Sequence, residues 1–369
     1  TIGQLRAAAG SARRITGQTM PSDTPGRLSM SVRKPLGVVA AITPFNVPLL
    51  KAAKLVASPL ATGNTVVLLT SEEAPAVSFR FAKLIEEAGF PAGSLNVVSG
   101  FGVDVGDFLT DHPLVKAVMF TGSSVVGKHI SEICGRNMKP CVLELGGKSP
   151  YIVLADADLG LAVQNAIIGM FFYQGQACIA SSRIIVEAAV YEQFVEMYSA
   201  AAKQLSMGDL HEIISPRQRN RVRTHIEDAV SKGATLVTGG EWEGNRCQPT
   251  ILTNVTEDMI VCRQETFGPV TSIYSVDNAE EALALANDTH YGLSGAIHTN
   301  DLNKALSLAH EVETGMIHIN APSVYDEPHV PFGGIGDSGF GREGVDVDID
   351  ALTQWKWITI QMPGYDQAH

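Results

Sequence analysis

No apolar run in this 369-residue sequence reaches the roughly 18 residues that suggest a membrane-spanning helix. The longest apolar region, residues 36–69, is broken by Pro44, Lys51, Lys54 and Pro59. The N-terminal residues carry no signal-peptide pattern and look like the middle of a helix. We therefore expect a cytoplasmic protein without a membrane partner.

Paired cysteines, metal-binding spacings and an excess of positive charge are missing as well. The five cysteines are an odd number with no CxxC pair, which indicates a reducing compartment rather than a disulfide framework. The ten histidines show no HExxH or comparable spacing, so we predict no metal site. The formal net charge of −12 argues against a general affinity for nucleic acid, and we expect no such partner.

The composition is that of an ordinary globular protein, 45% hydrophobic and 18% charged, and the length suggests two or three domains. Residues 37–42 form a short apolar run that ends at Thr43-Pro44, as expected of a buried parallel strand. Similar runs alternate with amphipathic stretches as far as residue 145. This alternation predicts a doubly wound α/β sheet of the Rossmann type, which binds its ligand at the carboxyl ends of its strands.

The expected helices of this first part are 48–60, 74–87, 103–110 and 124–134, and the further strands are 65–69, 95–98, 117–120 and 141–145. A second α/β unit then begins, with strands at 151–153 and 184–186 and helices at 159–172, 191–205 and 217–232. We expect the boundary near Gly146-Gly147, where two glycines permit a hinge.

Cys178 is the candidate nucleophile of this second unit. A cysteine is by default a small buried hydrophobe, and we assign that role to the other four, Cys134, Cys141, Cys247 and Cys262. Cys178 differs because small, polar and glycine residues surround it directly after an apolar helix. A thiolate at this position could attack a carbonyl carbon.

Two polar residues in apolar surroundings complete the candidate chemistry. Glu144 lies in the apolar strand VLELGG, where burial should raise its pKa towards that of a general base; the alternative is a buried structural Glu. Asn46 follows the end of a strand, where its amide could stabilise an oxyanion. The alternative for an Asn beside Pro is a turn residue.

Four segments in this order resemble the aldehyde dehydrogenase superfamily: ITPFNVPLL, LELGGKSP, FFYQGQACIASS and QETFGPV. The resemblance spans residues 17–361 and implies an oxidoreductase. In the implied cycle Cys178 attacks an aldehyde, and Asn46 and a backbone N–H stabilise the oxyanion. Hydride then passes to NAD, and Glu144 activates the water that hydrolyses the thioester. We interpret Lys148, which also matches the family motif, as structural support.

The stretch FTGSSVVG places Gly122 and Ser123 at a helix N-terminus, whose free N–H groups suit a phosphate; the alternative is a plain helix cap. The resemblance implies that these two residues and others at strand ends and in the motifs bind NAD. The full set is Ile42, Thr43, Pro44, Phe45, Leu69, Ser71, Glu72, Phe120, Gly122, Ser123, Leu145, Gly146, Glu265 and Phe267.

The choice of NAD over NADP depends on Glu72, which stands where the family carries its acidic residue. A carboxylate there can accept bonds from the adenine ribose and repels a 2′-phosphate. Leu69 replaces the usual lysine, so one charge-assisted bond to the cofactor is missing. The resemblance also implies that Glu265 holds the nicotinamide ribose and that Phe267 packs on the nicotinamide. Without the resemblance, Glu72 would be interpreted as a solvated residue near a helix end and Phe267 as a core residue.

The late segments DEPHVPFGG and SGFGREG resemble benzaldehyde, vanillin and salicylaldehyde dehydrogenases. An apolar, partly aromatic tunnel for the aldehyde is expected from Val47, Phe172, Tyr173, Ile179 and Phe332. We therefore predict an aromatic aldehyde as substrate, although Lys51 and Lys54 are cations that could favour a carboxylate-bearing one. The alternatives are an aliphatic or hydroxyaldehyde dehydrogenase, a CoA-acylating relative, which Glu144 argues against, and a non-catalytic relative.

The resemblance divides the chain into an NAD-binding domain (1–25 and 35–146, with its N-terminal part absent), a catalytic domain (147–336), a return to the NAD-binding domain (337–351) and an oligomerisation arm and tail (26–34 and 352–369). The absent N-terminal part is one departure from the family. A second lies near GDLHEIISPRQ, where the family usually carries several more residues before its helix. Read alone, residues 28–34 fit an edge strand of the main domain. The tail 355–361 could pair with residues 29–33 or with another subunit, and we expect a homodimer or homotetramer.

Overall fold

The computed structural model describes residues 1–208 and 210–365; residue 209 of the predicted catalytic domain and residues 366–369 of the predicted tail lie outside this part. The helices are α1 Ile2–Ser11, α2 Pro48–Ala61, α3 Pro75–Glu87, α4 Asp107–Asp111, α5 Ser124–Arg136, α6 Leu159–Phe171, α7 Ala188–Lys203, α8 Pro216–Ser231, α9 Ile260–Arg263, α10 Ala279–Asn287, α11 Leu302–Glu311 and α12 Val345–Leu352. Among the described residues, none of the helices has both the length and the apolar character needed to cross a bilayer.

The strands are short, as the apolar runs predicted. They are β1 Gln18–Met20, β2 Arg27–Pro35, β3 Val38–Ile42, β4 Thr65–Thr70, β5 Leu95–Ser99, β6 Val115–Thr121, β7 Cys141–Glu144, β8 Pro150–Val153, β9 Arg183–Glu187, β10 Thr235–Thr238, β11 Trp242–Glu243, β12 Arg246–Cys247, β13 Thr250–Thr253, β14 Val270–Val276, β15 Tyr291–Gly292, β16 Ala296–His298, β17 His318–Ile319, β18 Ile335–Gly336, β19 Gly339–Phe340 and β20 Thr353–Gln361.

The chain forms two compact units. Unit 1 comprises residues 1–143, 327–331 and 341 onward, and unit 2 comprises residues 144–326 and 332–340. The nucleotide-binding and catalytic roles that the sequence assigned to the corresponding domains stay predictions.

Unit 1 contains the predicted doubly wound sheet, with strand order β7-β6-β3-β4-β5. Strand β3 pairs in parallel with β4 on one side and β6 on the other. Its residues Val39 to Ala41 are fully buried, because helices cover both faces of such a sheet. From β3 the chain first builds β4 and β5, and then returns to place β6 on the opposite side of β3. A topological switch point therefore lies between β3 and β6, where open α/β sheets bind their ligands.

The helices of unit 1 begin largely where the sequence indicates. Pro48 occupies the first turn of α2, where its missing N–H costs nothing, and α2 packs on the sheet through buried alanine, leucine and valine. The predicted helix 103–110 is different: a π-helical turn, Gly102–Gly106, precedes α4. Glycine at both ends of that turn weakens the preference for a regular helix.

A separate antiparallel sheet in unit 1 has the order β1-β2-β20. Ser29 lies opposite Thr359 and Arg33 opposite Trp355, which confirms the predicted pairing of the tail with residues 29–33. The prediction that residues 28–34 form an edge strand is wrong, because β2 is the middle strand of this smaller sheet and pairs with both β1 and β20. The Arg33 guanidinium also lies 4.1 Å from the centre of the Trp355 ring.

Unit 2 is built on a seven-stranded sheet with the order β10-β13-β14-β9-β8-β16-β17. Strands β13, β14, β9, β8, β16 and β17 run parallel, and β10 is antiparallel to β13. Two apolar clusters cover the sheet. One packs α6 and α7 on it and the other packs α10 and α11 on it. This is the second α/β unit that the sequence predicted.

A buried carboxyl joins α12 to α2 within unit 1. The Ser58 hydroxyl donates to the Asp348 carboxyl group, and Asp348 is almost fully buried. Burial, together with the nearby charge of Glu343, raises the pKa of Asp348 to about 7. An aspartate in an unfolded chain titrates near ~3.9. Between these two values the folded protein holds a proton that the unfolded chain has released, so the free energy of unfolding falls as the pH rises through this window.

We expect Asp348→Asn to remove this dependence, since the amide does not ionise. At pH 8 the variant should be more stable than the wild type by on the order of 2–4 kcal/mol, whereas at pH 4 the two should be similar. Urea unfolding of both proteins across pH 4–8 measures the difference. A variant that is less stable than the wild type at pH 8 would contradict this account of Asp348.

Candidate active site

Three segments with candidate residues lie at one edge of the sheet in unit 2. Strands β8, β9 and β14 are parallel neighbours. The segments that precede them are residues 146–149, 176–182 and 265–269. Because the amino ends of parallel neighbours lie at the same edge, these segments are adjacent. The candidate site of this unit is therefore at the amino ends of the strands, opposite to the carboxyl edge used in the Rossmann arrangement.

Gly147 is where the three segments touch. A Cβ atom added to it would lie 2.1 Å from the carbonyl oxygen of Cys178. The N–H of Gly147 donates to Oε1 of Glu265 at 2.9 Å. A Cβ on Gly146 would lie 2.6 Å from Oε2 of the same carboxylate. The two glycines therefore let one stretch of backbone lie against both the Cys178 peptide and the Glu265 side chain.

The backbone that leads to Gly147 is fixed by Ser338. Its carbonyl accepts from the Leu145 N–H at 3.0 Å, and its hydroxyl donates to the Gly146 carbonyl at 2.7 Å. The same hydroxyl accepts from the Gly292 N–H at 3.0 Å. Glu144 is only 1% exposed, and Leu145 is buried beside it. The burial that the sequence predicted for the Glu144 carboxyl is thus present.

The turn before Cys178 has unusual backbone geometry. Tyr173, Gln174 and Gly175 have φ angles of 61°, 56° and 64°, in the left-handed region. Gly175 is required there, because an added Cβ would lie 2.2 Å from the Gly268 carbonyl oxygen. A bulky side chain such as that of Tyr173 rarely adopts this region. The turn before Cys178 therefore carries backbone strain.

Further hydrogen bonds hold the Cys178 segment in place. The Gln176 side-chain oxygen accepts from the Ile214 N–H at 2.9 Å. The carbonyl of Ile179 accepts from the Ser323 hydroxyl at 2.6 Å, and this hydroxyl also contacts the Ser181 hydroxyl at 2.7 Å. Cys178 lies between these anchors, and its side chain is partly exposed. Cys178 is thus partly accessible, and hydrogen bonds on both sides of it restrain its backbone.

The other cysteines differ in exposure. Cys134 and Cys247 are buried as predicted, whereas Cys141 and Cys262 are only partly buried. Burial raises the pKa of the Cys247 thiol to about 12, so this cysteine stays protonated. Cys178 remains the candidate nucleophile because of the segments around it.

The predicted tunnel residues of unit 2 are not equally accessible. Phe332 is buried, and Tyr173 and Ile179 are partly buried. Phe172 is 68% exposed. Val47 lies in unit 1 and is partly buried. The predicted tunnel residues therefore range from buried to exposed. Their contact with a substrate stays a prediction.

Charged groups around Glu265 are held out of water. Burial raises the pKa of Glu265 to about 7, although the Gly147 hydrogen bond and the charge of Arg221 oppose the rise. Burial, with the Arg183 guanidinium nearby, lowers the pKa of Lys148 to about 7. Lys148 is almost fully buried, and its supporting role stays a prediction. Phe267 has a φ of 56°, again in the left-handed region.

Residues of α8 hold the Glu265–Gly268 segment, and none of them was predicted from the sequence as a site residue. Gln218, Arg221 and His225 each hydrogen-bond to it. Their spacing of three and four residues places them on one helix face. That spacing is the signal that could have marked them, but no motif distinguishes it from an ordinary amphipathic helix.

The predicted cofactor residues of unit 1 lie at the carboxyl ends of the neighbouring strands β3, β4 and β6. Ile42 lies in register with Leu69 on one side and with Phe120 on the other. The Thr43 N–H donates to the Leu69 carbonyl at 3.1 Å. Pro44 and Phe45 follow in the loop after β3. Leu69 and Phe120 are buried.

The N-terminus of α5 fits a phosphate group. Ser123 caps this 13-residue helix by accepting from the Val126 N–H, and its first turn contains no acidic residue. Gly122 has no room for a side chain, because an added Cβ would lie 2.3 Å from the Phe120 ring. Exposed N–H groups at a helix N-terminus favour an anion. The residues present are thus compatible with a nucleotide phosphate.

The remaining candidates of unit 1 differ in environment. Asn46 is buried after β3. The Ser71 hydroxyl accepts from the Glu73 N–H, so Ser71 caps its own turn. Glu72 is exposed.

Lys51 and Lys54, the two cations that could have favoured an acidic substrate, face one buried carboxylate. The Nζ of Lys51 lies 2.7 Å from Oε2 of Glu343, and that of Lys54 lies 3.8 Å from the same atom. These lysines hold the pKa of Glu343 below its usual value in spite of burial. A substrate carboxylate would have to compete with Glu343 for them.

No group of three or more His, Cys, Asp or Glu side chains that could hold a metal ion occurs in the described residues.

We expect Gly147→Ala to displace the Cys178 segment, because the added methyl group cannot fit against the Cys178 carbonyl. The variant should be destabilised by about 1–3 kcal/mol, and the alkylation rate of Cys178 by iodoacetamide should change. The matched control is Gly135→Ala in α5, where an added Cβ meets nothing within 4 Å. It should be slightly stabilised, by about 0.5–1 kcal/mol. Urea unfolding and peptide mass spectrometry measure both effects. Equal stability of both variants and the wild type would be inconsistent with the contact.

Comparison with known proteins agrees with this geometry. The sequence pattern of the aldehyde dehydrogenase family matches residues 1–358. The vanillin dehydrogenase of Pseudomonas fluorescens is 43% identical over 367 residues, 97% of this chain and 76% of the relative. A benzaldehyde dehydrogenase of Pseudomonas putida, named with NAD(+), is 41% identical over 366 residues, 97% of this chain and 75% of the relative.

Solved structures agree as well. The crystal structure of a salicylaldehyde dehydrogenase from Pseudomonas putida G7, complexed with salicylaldehyde, matches with a TM-score of 0.95 and 37% identity. The match covers 100% of this chain and 78% of that chain. These findings confirm the predicted family, its α/β fold and an aldehyde dehydrogenase activity that uses NAD(P). The chain belongs to the aldehyde dehydrogenase family.

Proposed function

We propose that this protein oxidises an aromatic aldehyde to the carboxylic acid with NAD, through a covalent intermediate on Cys178. The observation that carries the proposal is the contact of one backbone stretch, Gly146-Gly147, with the Cys178 peptide and the Glu265 carboxylate. Glu144, almost fully buried, lies two residues before that stretch. The proposed nucleophile Cys178 and the proposed cofactor ligand Glu265 thus both contact a backbone stretch that is close in sequence to the proposed base, Glu144.

The aromatic substrate is supported by three features. Relatives that are about two-fifths identical are named for vanillin and benzaldehyde. The predicted tunnel residues are apolar or aromatic. Lys51 and Lys54 are engaged with Glu343, so neither is a ready partner for an acidic aldehyde.

The reaction follows from the chemistry of the site residues. The Cys178 thiolate adds to the carbonyl carbon, and the new oxyanion is stabilised by the Asn46 amide and the Cys178 N–H. Bound NAD supplies the acceptor for the hydride that leaves this carbon. The thioester on Cys178 is then attacked by water, whose proton Glu144 accepts. The acid is released and the thiol is restored.

NAD is proposed over NADP because Glu72 is an exposed carboxylate after β4. It can accept bonds from ribose hydroxyls and repels a 2′-phosphate. Glu265 and Phe267 are proposed to contact the nicotinamide half, with Leu145 and Gly146 beside them. The adenosine and phosphate half is proposed to contact the strand-end and helix-end residues Ile42, Thr43, Pro44, Phe45, Leu69, Ser71, Phe120, Gly122 and Ser123.

We also propose that the three-stranded sheet of unit 1 mediates assembly into a homodimer or homotetramer in the cytoplasm. Its strand β20 exposes Trp355, Trp357 and Ile360. Exposed apolar residues grouped on one strand are typical of association surfaces. The mass of the purified protein in solution distinguishes monomer, dimer and tetramer.

The substrate and cofactor are tested together by steady-state kinetics. We expect kcat/KM for benzaldehyde and vanillin to exceed that for hexanal by about tenfold or more, and NAD to be preferred over NADP by a similar factor. Absorbance of the reduced cofactor measures both. Equal rates with hexanal would contradict the aromatic assignment, and equal rates with NADP would contradict the role of Glu72.

The role of Glu144 is tested by pre-steady-state kinetics of Glu144→Gln. The variant should still form the thioester and reduce about one NAD per site in a burst, but later turnovers should slow by about 10²–10⁴-fold because the general base is lost. The control is Glu192→Gln, a change of an exposed residue on α7, which should behave as the wild type. Loss of the burst itself in Glu144→Gln would assign this residue to another step.

A further inference from the structure

One face of α8 binds three consecutive carbonyl groups of the segment 265–267. The Gln218 side-chain Nε2 donates to the Thr266 carbonyl at 2.9 Å and to the Phe267 carbonyl at 2.8 Å. The Arg221 guanidinium donates to the Glu265 carbonyl. Each carbonyl of this short segment therefore has a donor from the same helix.

The same helix face also contacts the side chain and the end of the segment. The His225 ring nitrogen Nδ1 lies 3.0 Å from the Thr266 hydroxyl. Val222 packs so closely on Gly268 that an added Cβ there would lie 2.3 Å from its methyl group. The α8 clamp, as we call Gln218, Arg221, Val222 and His225, follows the i, i+3, i+4, i+7 pattern of one helix face.

The α8 clamp contacts a backbone segment whose conformation is strained. Phe267 has a φ of 56°, a left-handed conformation that a bulky residue rarely adopts. Such a conformation persists only when the surroundings impose it. Gln218 is the clamp residue whose hydrogen bonds end on Phe267 and on the peptide before it. Its planar amide can direct its two N–H groups to the two carbonyls at once.

We propose that Gln218 is a positioning residue for hydride transfer: it holds the backbone of Phe267 in the left-handed conformation and thereby fixes the Phe267 ring and the Glu265 carboxylate. This proposal rests on the proposed contact of Glu265 and Phe267 with the nicotinamide half of the cofactor. Gln218 acts through these residues. A loosened segment still binds the cofactor but presents it to the thiohemiacetal with poorer geometry.

The test is Gln218→Met, which keeps the length of the side chain and removes both donors. We expect kcat with benzaldehyde to fall by about 10–100-fold, because small misplacements of reacting groups are costly. The dissociation constant for NAD, measured by fluorescence titration, should change by less than about threefold. The isotope effect on kcat with the deuterated aldehyde should rise, since hydride transfer becomes slower than the other steps.

A second readout needs no catalysis. In the cofactor-free protein, hydrogen exchange of the peptide that contains residues 264–270 should become faster in Gln218→Met. The matched control is Gln193→Met on α7, the same chemical change at an exposed position. It should leave exchange, kcat and the isotope effect unchanged. If Gln218→Met does not fold, Gln218→Asn, which keeps the amide but is one methylene shorter, takes its place.

A double-mutant cycle with Phe267→Gly identifies the route of the effect. Glycine adopts the left-handed conformation without strain and carries no ring, so adding Gln218→Met to Phe267→Gly should lower kcat by less than about twofold. A full additional loss of 10-fold or more, as in the single variant, would overturn the proposal. So would unchanged kcat in a Gln218→Met protein whose exchange is faster.

The failure of the proposed function gives a different pattern. If Glu265→Gln and Phe267→Gly leave both NAD affinity and kcat unchanged, the segment does not serve the cofactor, and the proposal falls with that assignment. If these two variants are impaired while Gln218→Met behaves as the wild type, the cofactor assignment stands and the positioning role of Gln218 is wrong.

Discussion

The site of this protein depends on the absence of two side chains. At Gly146 and Gly147 the backbone lies so close to the Glu265 carboxylate and the Cys178 carbonyl that a single methyl group would not fit. Because the Gly147 N–H also donates to Glu265, the contact is directional as well as tight. The Cys178 peptide and the Glu265 carboxylate are thereby held against the same short backbone stretch, which begins two residues after the buried Glu144.

Burial of ionisable side chains near the Glu265 segment is the second feature of unit 2 that shapes the site. Burial moves the pKa of Glu265 up and that of Lys148 down, each to about 7, and lowers the pKa of His225 to about 4. At neutral pH the His225 ring is therefore uncharged, and burial opposes the charged forms of both Lys148 and Glu265. Small changes in the local environment can shift such groups, which suits a site whose ligands carry charge.

The sequence predicted those parts of the fold that follow from local pattern. Short apolar runs gave the strands of unit 1, and the parallel order explains why Ile42, Leu69 and Phe120 lie side by side. The pairing of β2 with β20 followed from two alternating segments. The amino-edge assembly in unit 2 could not be predicted, since it depends on the order of strands that are distant in sequence. The left-handed Tyr173 and Phe267 and the α8 clamp likewise result from tertiary contacts that local propensity does not encode.

The central claim is that the Cys178 sulfur bonds to the aldehyde carbon during turnover. The most direct measurement is peptide mass spectrometry of protein quenched with acid while it oxidises benzaldehyde in the presence of NAD. The account predicts a benzoyl adduct on the peptide that contains Cys178 and none on the peptides of the other four cysteines. An adduct on another cysteine, or continued formation of benzoate with Cys178 never modified, would contradict it.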